Sequence, residues 1–323
     1  MAAFDPEVEV LLELGRKAGR PPFQDLTPEA ARAAYAASWD VLQPAAEEVA
    51  AVRDLVIPGP AGDLALRIYR GIGTRAGEQL PCLMFLHGGG WVIGDLESHD
   101  RLCRRLANRA RICVVAVDYR LAPEHRFPAA LDDAVAAWQW VHANAAVHDI
   151  IAGSIAIGGD SAGGNLAAVI ALMGRDGSAA PAVFQALLYP VVDLTATSAS
   201  YRRVTAGVPL TAATMHYFIG HYTPTAGDRL DWRASPLLAN SLAGTPPALV
   251  LTVAHDPLCD EGLAYARRLE DEGVRVTALH LTDHMHGMLM HGKLVQAGNR
   301  VLEFVAAAIG DALHRNAASG AVK

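Results

Sequence analysis

The sequence predicts an α/β fold, a mostly parallel sheet covered by helices on both faces. Two observations carry this. From about residue 80 onward, short β-rich runs alternate with longer helical stretches, and parallel strands need such crossovers. The composition also permits a large core: of 323 residues, 52% are hydrophobic and 19% charged, too apolar for a disordered chain. At roughly 100–200 residues per domain, that length allows one large domain or two ordinary ones.

The chain opens with helix. Asp5-Pro6-Glu7 sets proline in a first turn with acids at the positive end of the helix dipole, and Thr27-Pro28-Glu29 repeats the pattern. Tyr35, Trp39 and Leu42 then recur at helical spacing. Residues from about 5 to 45 therefore read as two helices joined by Pro21-Pro22. Val52–Ile57 and Leu64–Tyr69 read as an antiparallel hairpin across the turn 58–63. The strands expected next are Cys82–Leu86, Ile112–Val117, Ser154–Gly158, Phe184–Tyr189, Ala248–Val253 and Arg275–His280. Helices are expected around 98–110, 129–146, 163–173 and 260–272, with a long apolar one near 294–314. Residues 195–240 break the alternation and read as an insertion over the site. In such sheets ligands bind beyond the carboxyl ends of the strands, so the residues just after each strand matter most.

Several function classes are disfavoured. A net charge of −7 with no basic stripe argues against a nucleic-acid partner. No apolar run approaches the roughly 18–20 residues of a membrane span, and the first residues do not have the pattern of a signal peptide. The four cysteines, Cys82, Cys103, Cys113 and Cys259, are scattered without a Cys-x-x-Cys pair. They read as buried small hydrophobes, with a cytoplasmic location as the default.

The strongest chemical signal is Gly159-Asp160-Ser161-Ala162-Gly163. It fits Gly-x-Ser-x-Gly between a strand and a helix. That sharp turn needs glycines where side chains would clash, and it lifts a serine hydroxyl above the sheet at a helix N-terminus. The competing reading is a glycine turn with an idle serine. A second signal, His87-Gly88-Gly89-Gly90-Trp91, follows directly after a strand. Residues without side chains let backbone N–H groups approach a reacting oxygen, and each fixed donor to a developing oxyanion is worth roughly 2.7–4 kcal/mol. The residue after the nucleophile, Ala162, supplies a further donor. His87 reads as a loop-packing residue rather than a base, and Trp91 as either a pocket wall or a core aromatic.

A nucleophilic serine needs a base and the base an orienting acid, in the chain order Ser, Asp or Glu, His. Asp256 lies where the strand Ala248–Val253 ends. Asp260 and Glu261 are explained by capping of the next helix. His286, followed by Gly287, suits a histidine held on a turn; His284 is the surface alternative. His284, His286 and His291 lack the ligand spacing of a zinc motif, so no metal is expected.

With these residues in place, the chain resembles the hormone-sensitive-lipase-like, or bacterial family IV, esterases of the α/β-hydrolase superfamily. The likeness runs from about residue 5 to 312. His87-Gly88-Gly89-Gly90 is similar to the family's oxyanion motif. Tyr119-Arg120-Leu121-Ala122-Pro123-Glu124 with Phe127-Pro128-Ala129-Ala130 resembles its structural signature. Gly159-Asp160-Ser161-Ala162-Gly163 is the form of one subgroup, Asp256-Pro257-Leu258-Cys259-Asp260-Glu261-Gly262 resembles the acid motif, and His286-Gly287 the histidine motif. Two positions depart from the pattern: Cys259 stands where a basic residue is usual, and Met288 where an aromatic is common.

The resemblance implies an eight-stranded sheet in a catalytic domain of residues 46–194 and 241–323. It also implies a cap formed by residues 1–45 and 195–240. It implies Ser161, Asp256 and His286 as a catalytic triad. Gly89, Gly90 and Ala162 would donate to the oxyanion, with His87 and Gly88 shaping the loop. Short- to medium-chain esters would be the substrates, without a cofactor, and a homodimer would pair through the edge strand 275–280. The rival expectations are an amidase or peptidase using the same residues, and a non-catalytic ligand-binding relative.

Overall fold

A computed structural model describes residues 2–320, leaving Met1 and residues 321–323 of the expected domains outside it. Its eight-stranded sheet runs in the order β1-β2-β4-β3-β5-β6-β7-β8. The strands are β1 (Ala51–Gly59), β2 (Gly62–Arg70), β3 (Leu80–Leu86), β4 (Cys113–Val117), β5 (Ile150–Asp160), β6 (Gln185–Leu188), β7 (Ala248–His255) and β8 (Val276–Met285). β1 and β2 form an antiparallel hairpin, and β2 also runs antiparallel to β4. From β4 through β8 every pairing is parallel.

The burial pattern follows from the covering helices. β3 and β4 are buried along their whole length, as strands with both faces covered must be. α4 (Leu96–Ala110) and α10 (Gln296–Gly320) cover one face through Leu102, Leu106, Leu302, Val305 and Ile309. α5 (Ala129–Ala143), α6 (Ala162–Arg175) and α9 (Cys259–Asp271) cover the other through Trp138, Leu166, Ile170 and Tyr265. The four cysteines are buried and unpaired.

Two expectations need correction. The N-terminal region holds more than two helices: α1 (Pro6–Ala18), a 3-10 turn at Phe23–Asp25, α2 (Pro28–Ala36) and α3 (Trp39–Leu42). The second helix breaks where the Ser38 hydroxyl donates to the Tyr35 carbonyl at 2.6 Å, a local bond that competes with the helical ladder. The segment 195–240, read as an insertion, contributes no strand to the sheet. It forms α7 (Ala199–Arg203) and α8 (Ala212–Tyr222), and Thr211 caps α8 by accepting from Thr214 N–H at 3.3 Å. β8 continues through Asp283 and His284 to Met285. An edge strand tolerates polar side chains on its open face, and the Asp5 N–H donates to the Asp283 carbonyl at 3.0 Å.

The N-terminal segment is tied both to the sheet domain and to the segment 195–240. Arg32 on α2 grips Glu124 with two hydrogen bonds, at 2.6 and 2.9 Å, and donates to the Val92 and Ala122 carbonyls. Thr214 on α8 donates to the Gln24 side chain at 2.7 Å, and the Phe23 and Phe218 rings lie 6.1 Å apart.

Candidate active site

Ser161 stands between the end of β5 and the start of α6 with φ 54° and ψ −117°. A non-glycine residue at positive φ is strained, and such strain persists only where the surroundings enforce it. Here the Ser161 N–H donates to the Leu188 carbonyl at 2.9 Å, and its carbonyl accepts from Asn165 and Val191 N–H. A Cβ on Gly163 would come within 3.0 Å of the Leu86 backbone, and one on Gly159 within 3.0 Å of Gly163. The two glycines of the motif are therefore steric requirements of the turn.

Asp256 follows β7 and His286 follows β8, so neighbouring strand ends deliver both. Their side chains meet at 2.6 Å between Asp256 Oδ2 and His286 Nδ1. Asp256 is 1% exposed, and its Oδ1 accepts from Leu258 N–H at 2.8 Å. Gly287 takes the left-handed conformation at φ 76° that turns the chain after the histidine. The Tyr189 ring lies 4.7 Å from the imidazole. Among the described residues, the Ser161 hydroxyl makes no hydrogen bond to His286. Such contacts are often long without substrate and tighten when it binds.

The loop after β3 is anchored group by group. The Tyr119 hydroxyl donates to the His87 carbonyl at 2.6 Å, Gly88 N–H to Asp160 Oδ1 at 2.8 Å, and Val92 and Ile93 N–H to the Gly89 carbonyl. Gly90 has φ 60°, and a Cβ there would overlap the Phe218 ring, so α8 lies directly over the loop. Among the described residues, the N–H groups of Gly89, Gly90 and Ala162 have no protein acceptor.

Several site expectations change in the structure. Trp91 cannot wall an open pocket: it is fully buried, with its indole stacked on Tyr222 at 4.2 Å. His284 is not a surface residue but is buried, with Nδ1 2.6 Å from Asp283 Oδ1. Glu261 does more than cap a helix. It is buried and accepts from Val192 and Asp193 N–H at 2.8 and 3.2 Å, while Asp260 pairs with Arg203 at 2.9 Å. Asp160, Asn165 and Glu261 all hold backbone about 70 residues away, and no motif spacing announces such contacts.

His87 packs as expected, its ring stacked on Tyr119 at 4.2 Å. Burial pushes its pKa down to about 4, with His99 acting in the same direction. The unfolded chain therefore takes up a proton that the folded chain refuses. Stability from this group is complete above about pH 6.5 and is lost as pH falls from there toward 4. Between pH 7 and 4.5, His87→Gln is expected to lose about 2 kcal/mol less stability than the wild type. Urea unfolding at the two pH values measures this, and equal losses in both proteins would refute it.

Comparison with known proteins places the chain in a family. A profile of the alpha/beta hydrolase fold matches residues 83–290. The chain belongs to the α/β-hydrolase family. It is 46% identical to the carboxylic ester hydrolase LipN of Mycobacterium tuberculosis over 245 residues, covering 74% of this chain and 64% of that protein. To the ethyl acetate hydrolase of Pseudomonas putida it is 38% identical over 303 residues, 93% of this chain and 95% of that one. Two solved structures match along nearly their whole lengths. The esterase of Pyrobaculum calidifontis gives a TM-score of 0.89 at 38% identity, covering 96% of this chain and 99% of that one. An ester hydrolase from the Lake Arreo metagenome, bound to a bipyridine phosphonate derivative, gives 0.91 at 41%, covering 95% and 98%. This α/β-hydrolase is a carboxylesterase of the hormone-sensitive-lipase-like branch.

Proposed function

We propose that this carboxylesterase cleaves short- to medium-chain acyl esters with Ser161 as nucleophile, His286 as base and Asp256 as the orienting acid. The observation that carries the assignment is the 2.6 Å contact between His286 Nδ1 and Asp256 Oδ2. It fixes the Nδ1–H tautomer and leaves Nε2 free to accept a proton. Ser161 Oγ attacks the ester carbonyl carbon and gives its proton to Nε2. The tetrahedral oxyanion receives hydrogen bonds from Gly89, Gly90 and Ala162 N–H, which lack protein acceptors among the described residues. Collapse expels the alkoxide, which takes the proton from Nε2. Water then repeats the sequence on the acyl-enzyme. No cofactor enters these steps.

Residues 1–45 and 195–240 act in this reading as a cap over the catalytic residues 46–194 and 241–323. Support comes from the Phe218 ring against Gly90 and from the contacts of Gln24 and Phe23 with α8. A roof set this close limits the acyl chain, in keeping with a relative named for ethyl acetate. The edge strand β8, which contains residues 276–280 of the expected dimer strand, is the surface for a homodimer. The unpaired cysteines favour a cytoplasmic location, and among the described residues no helix is long and apolar enough to cross a membrane.

The test is hydrolysis of p-nitrophenyl esters from acetate to dodecanoate, beside a matched anilide. Turnover should peak at a short or medium chain and exceed that of the anilide. Faster turnover of the anilide would overturn the assignment in favour of an amidase.

A further inference from the structure

A buried chain of polar side chains lies behind the glycine loop, and the reaction as described does not use it. It starts on α4. Ser98 Oγ and His99 Nδ1 are 2.9 Å apart, and His99 Nε2 lies 3.1 Å from Asp160 Oδ1 and 3.4 Å from the Gly88 nitrogen. The same carboxylate oxygen accepts the Gly88 N–H at 2.8 Å. Ser98, His99 and Asp160 are 0%, 1% and 4% exposed, so no bulk water substitutes for any of these bonds. We propose that His99 is a positioning residue for the proposed oxyanion loop, its Nε2–H fixing the Asp160 carboxylate that in turn pins the Gly88 amide.

The geometry gives this arrangement its leverage. Gly88 lies one residue before Gly89 and two before Gly90, so its peptide sets the direction in which the next amides point. A Cβ on Gly88 would come within 3.0 Å of the Asp160 carboxyl carbon and oxygen, which leaves the loop no slack against that side chain. Other anchors of the loop are a tyrosine hydroxyl on the His87 carbonyl, backbone amides on the Gly89 and Trp91 carbonyls, and the Arg32 guanidinium on the Val92 carbonyl. Asp160 is the charged anchor on Gly88 itself, and a buried carboxylate needs a donor to stay ionised. Burial acts to raise the Asp160 pKa, yet His99 and the Gly88 amide outweigh it and hold the carboxyl below its ordinary value. Asp160 also immediately precedes Ser161. One carboxylate thus ties the nucleophile's turn to the loop that faces it, and His99 is the side chain that holds this carboxylate.

The inference rests on the proposed catalytic role of Ser161 and of the glycine loop. Steady-state kinetics on p-nitrophenyl butyrate separates the two, with Ser161→Ala as the control for that reading. His99→Ala should lower kcat by roughly 10- to 100-fold, below the full cost of a lost oxyanion donor, with KM changed less than twofold. Phosphonylation of Ser161 by a p-nitrophenyl phosphonate, whose adduct places an oxygen on the same amides, should slow in step with kcat/KM. His99→Gln places an amide donor near the position of Nε2 and should recover most of kcat. His99→Asn is a bond too short and should not. A kcat for His99→Ala within threefold of wild type, or a loss carried by KM alone, would overturn the proposal. If the alanine variant does not fold, the other two decide, and a glutamine variant no faster than the asparagine variant overturns it. Full activity in Ser161→Ala would instead remove the catalytic reading beneath it.

Discussion

Ser161→Ala is expected to lower kcat/KM for p-nitrophenyl butyrate by about 10⁴-fold or more, while the protein keeps its fold. The size follows from the mechanism. Without the hydroxyl no acyl-enzyme can form, and residual turnover must come from water attacking a bound ester that the free amides still polarise. A factor of 10⁴ is about 5.5 kcal/mol of transition-state stabilisation. The fold should survive because what constrains Ser161 is its backbone. Its N–H and carbonyl carry the hydrogen bonds to Leu188, Asn165 and Val191. Alanine at φ 54° pays a backbone cost similar to that of serine. KM should change little, since the side chain loses no anchoring contact to the cap. Turnover within tenfold of wild type, in a preparation shown free of contaminating esterase, would remove Ser161 from the mechanism and favour a non-catalytic ligand-binding role.

This prediction could be written before any coordinates, and the reason is physical. A strand-to-helix turn that lifts a serine above a sheet tolerates only glycine at positions 159 and 163, because each Cβ would strike backbone. Local steric necessity of that kind leaves a trace in adjacent letters. The strands were readable for a related cause. Buried parallel strands such as β3 and β4 are unbroken apolar runs, whereas the edge strand β8 mixes Thr277, His280, Thr282 and Asp283 with apolar residues, so its end at Met285 leaves no clear mark in the letters. Within 195–240 the threonines mask α7 and α8, since threonine favours strands by propensity although Thr211 serves as a helix cap. What stayed hidden acts across long separations. Glu261 accepts from the Val192 and Asp193 amides, and Asp160 accepts from Gly88. Each is a side chain to backbone bond, and the backbone partner carries no residue-type signal. Trp91 shows the same limit from another side, since an aromatic after a glycine loop reads equally as pocket wall or core, and only Tyr222 stacked against it decides.

Asp256→Asn should lower kcat by about 10⁴-fold with KM nearly unchanged, and the hydrogen bonds around the residue explain why so small a change costs so much. Asp256 uses both oxygens: Oδ1 accepts from Leu258 N–H at 2.8 Å, and Oδ2 faces His286 Nδ1 at 2.6 Å. An asparagine must give its single oxygen to one of them. Keeping the bond to the buried Leu258 amide turns the –NH₂ toward the imidazole. Nδ1 must then accept, the ring proton moves to Nε2, and His286 can no longer take the proton from Ser161. The opposite orientation keeps the tautomer but sets –NH₂ against the Leu258 N–H, leaving a buried donor unpaired at roughly 1–3 kcal/mol. In either case the negative charge that stabilises the imidazolium is gone. The neighbouring acids cannot take over, since Asp260 is held by Arg203 and Glu261 is turned to the amides of Val192 and Asp193. Burial also pushes the Glu261 carboxyl well above its ordinary range, with the Val192 amide opposing the shift only in part. Steady-state kinetics on the purified variant, with circular dichroism to verify the fold, measures the effect. A kcat within tenfold of wild type would mean that the His286 tautomer is set by another group, and the orienting role would pass from Asp256.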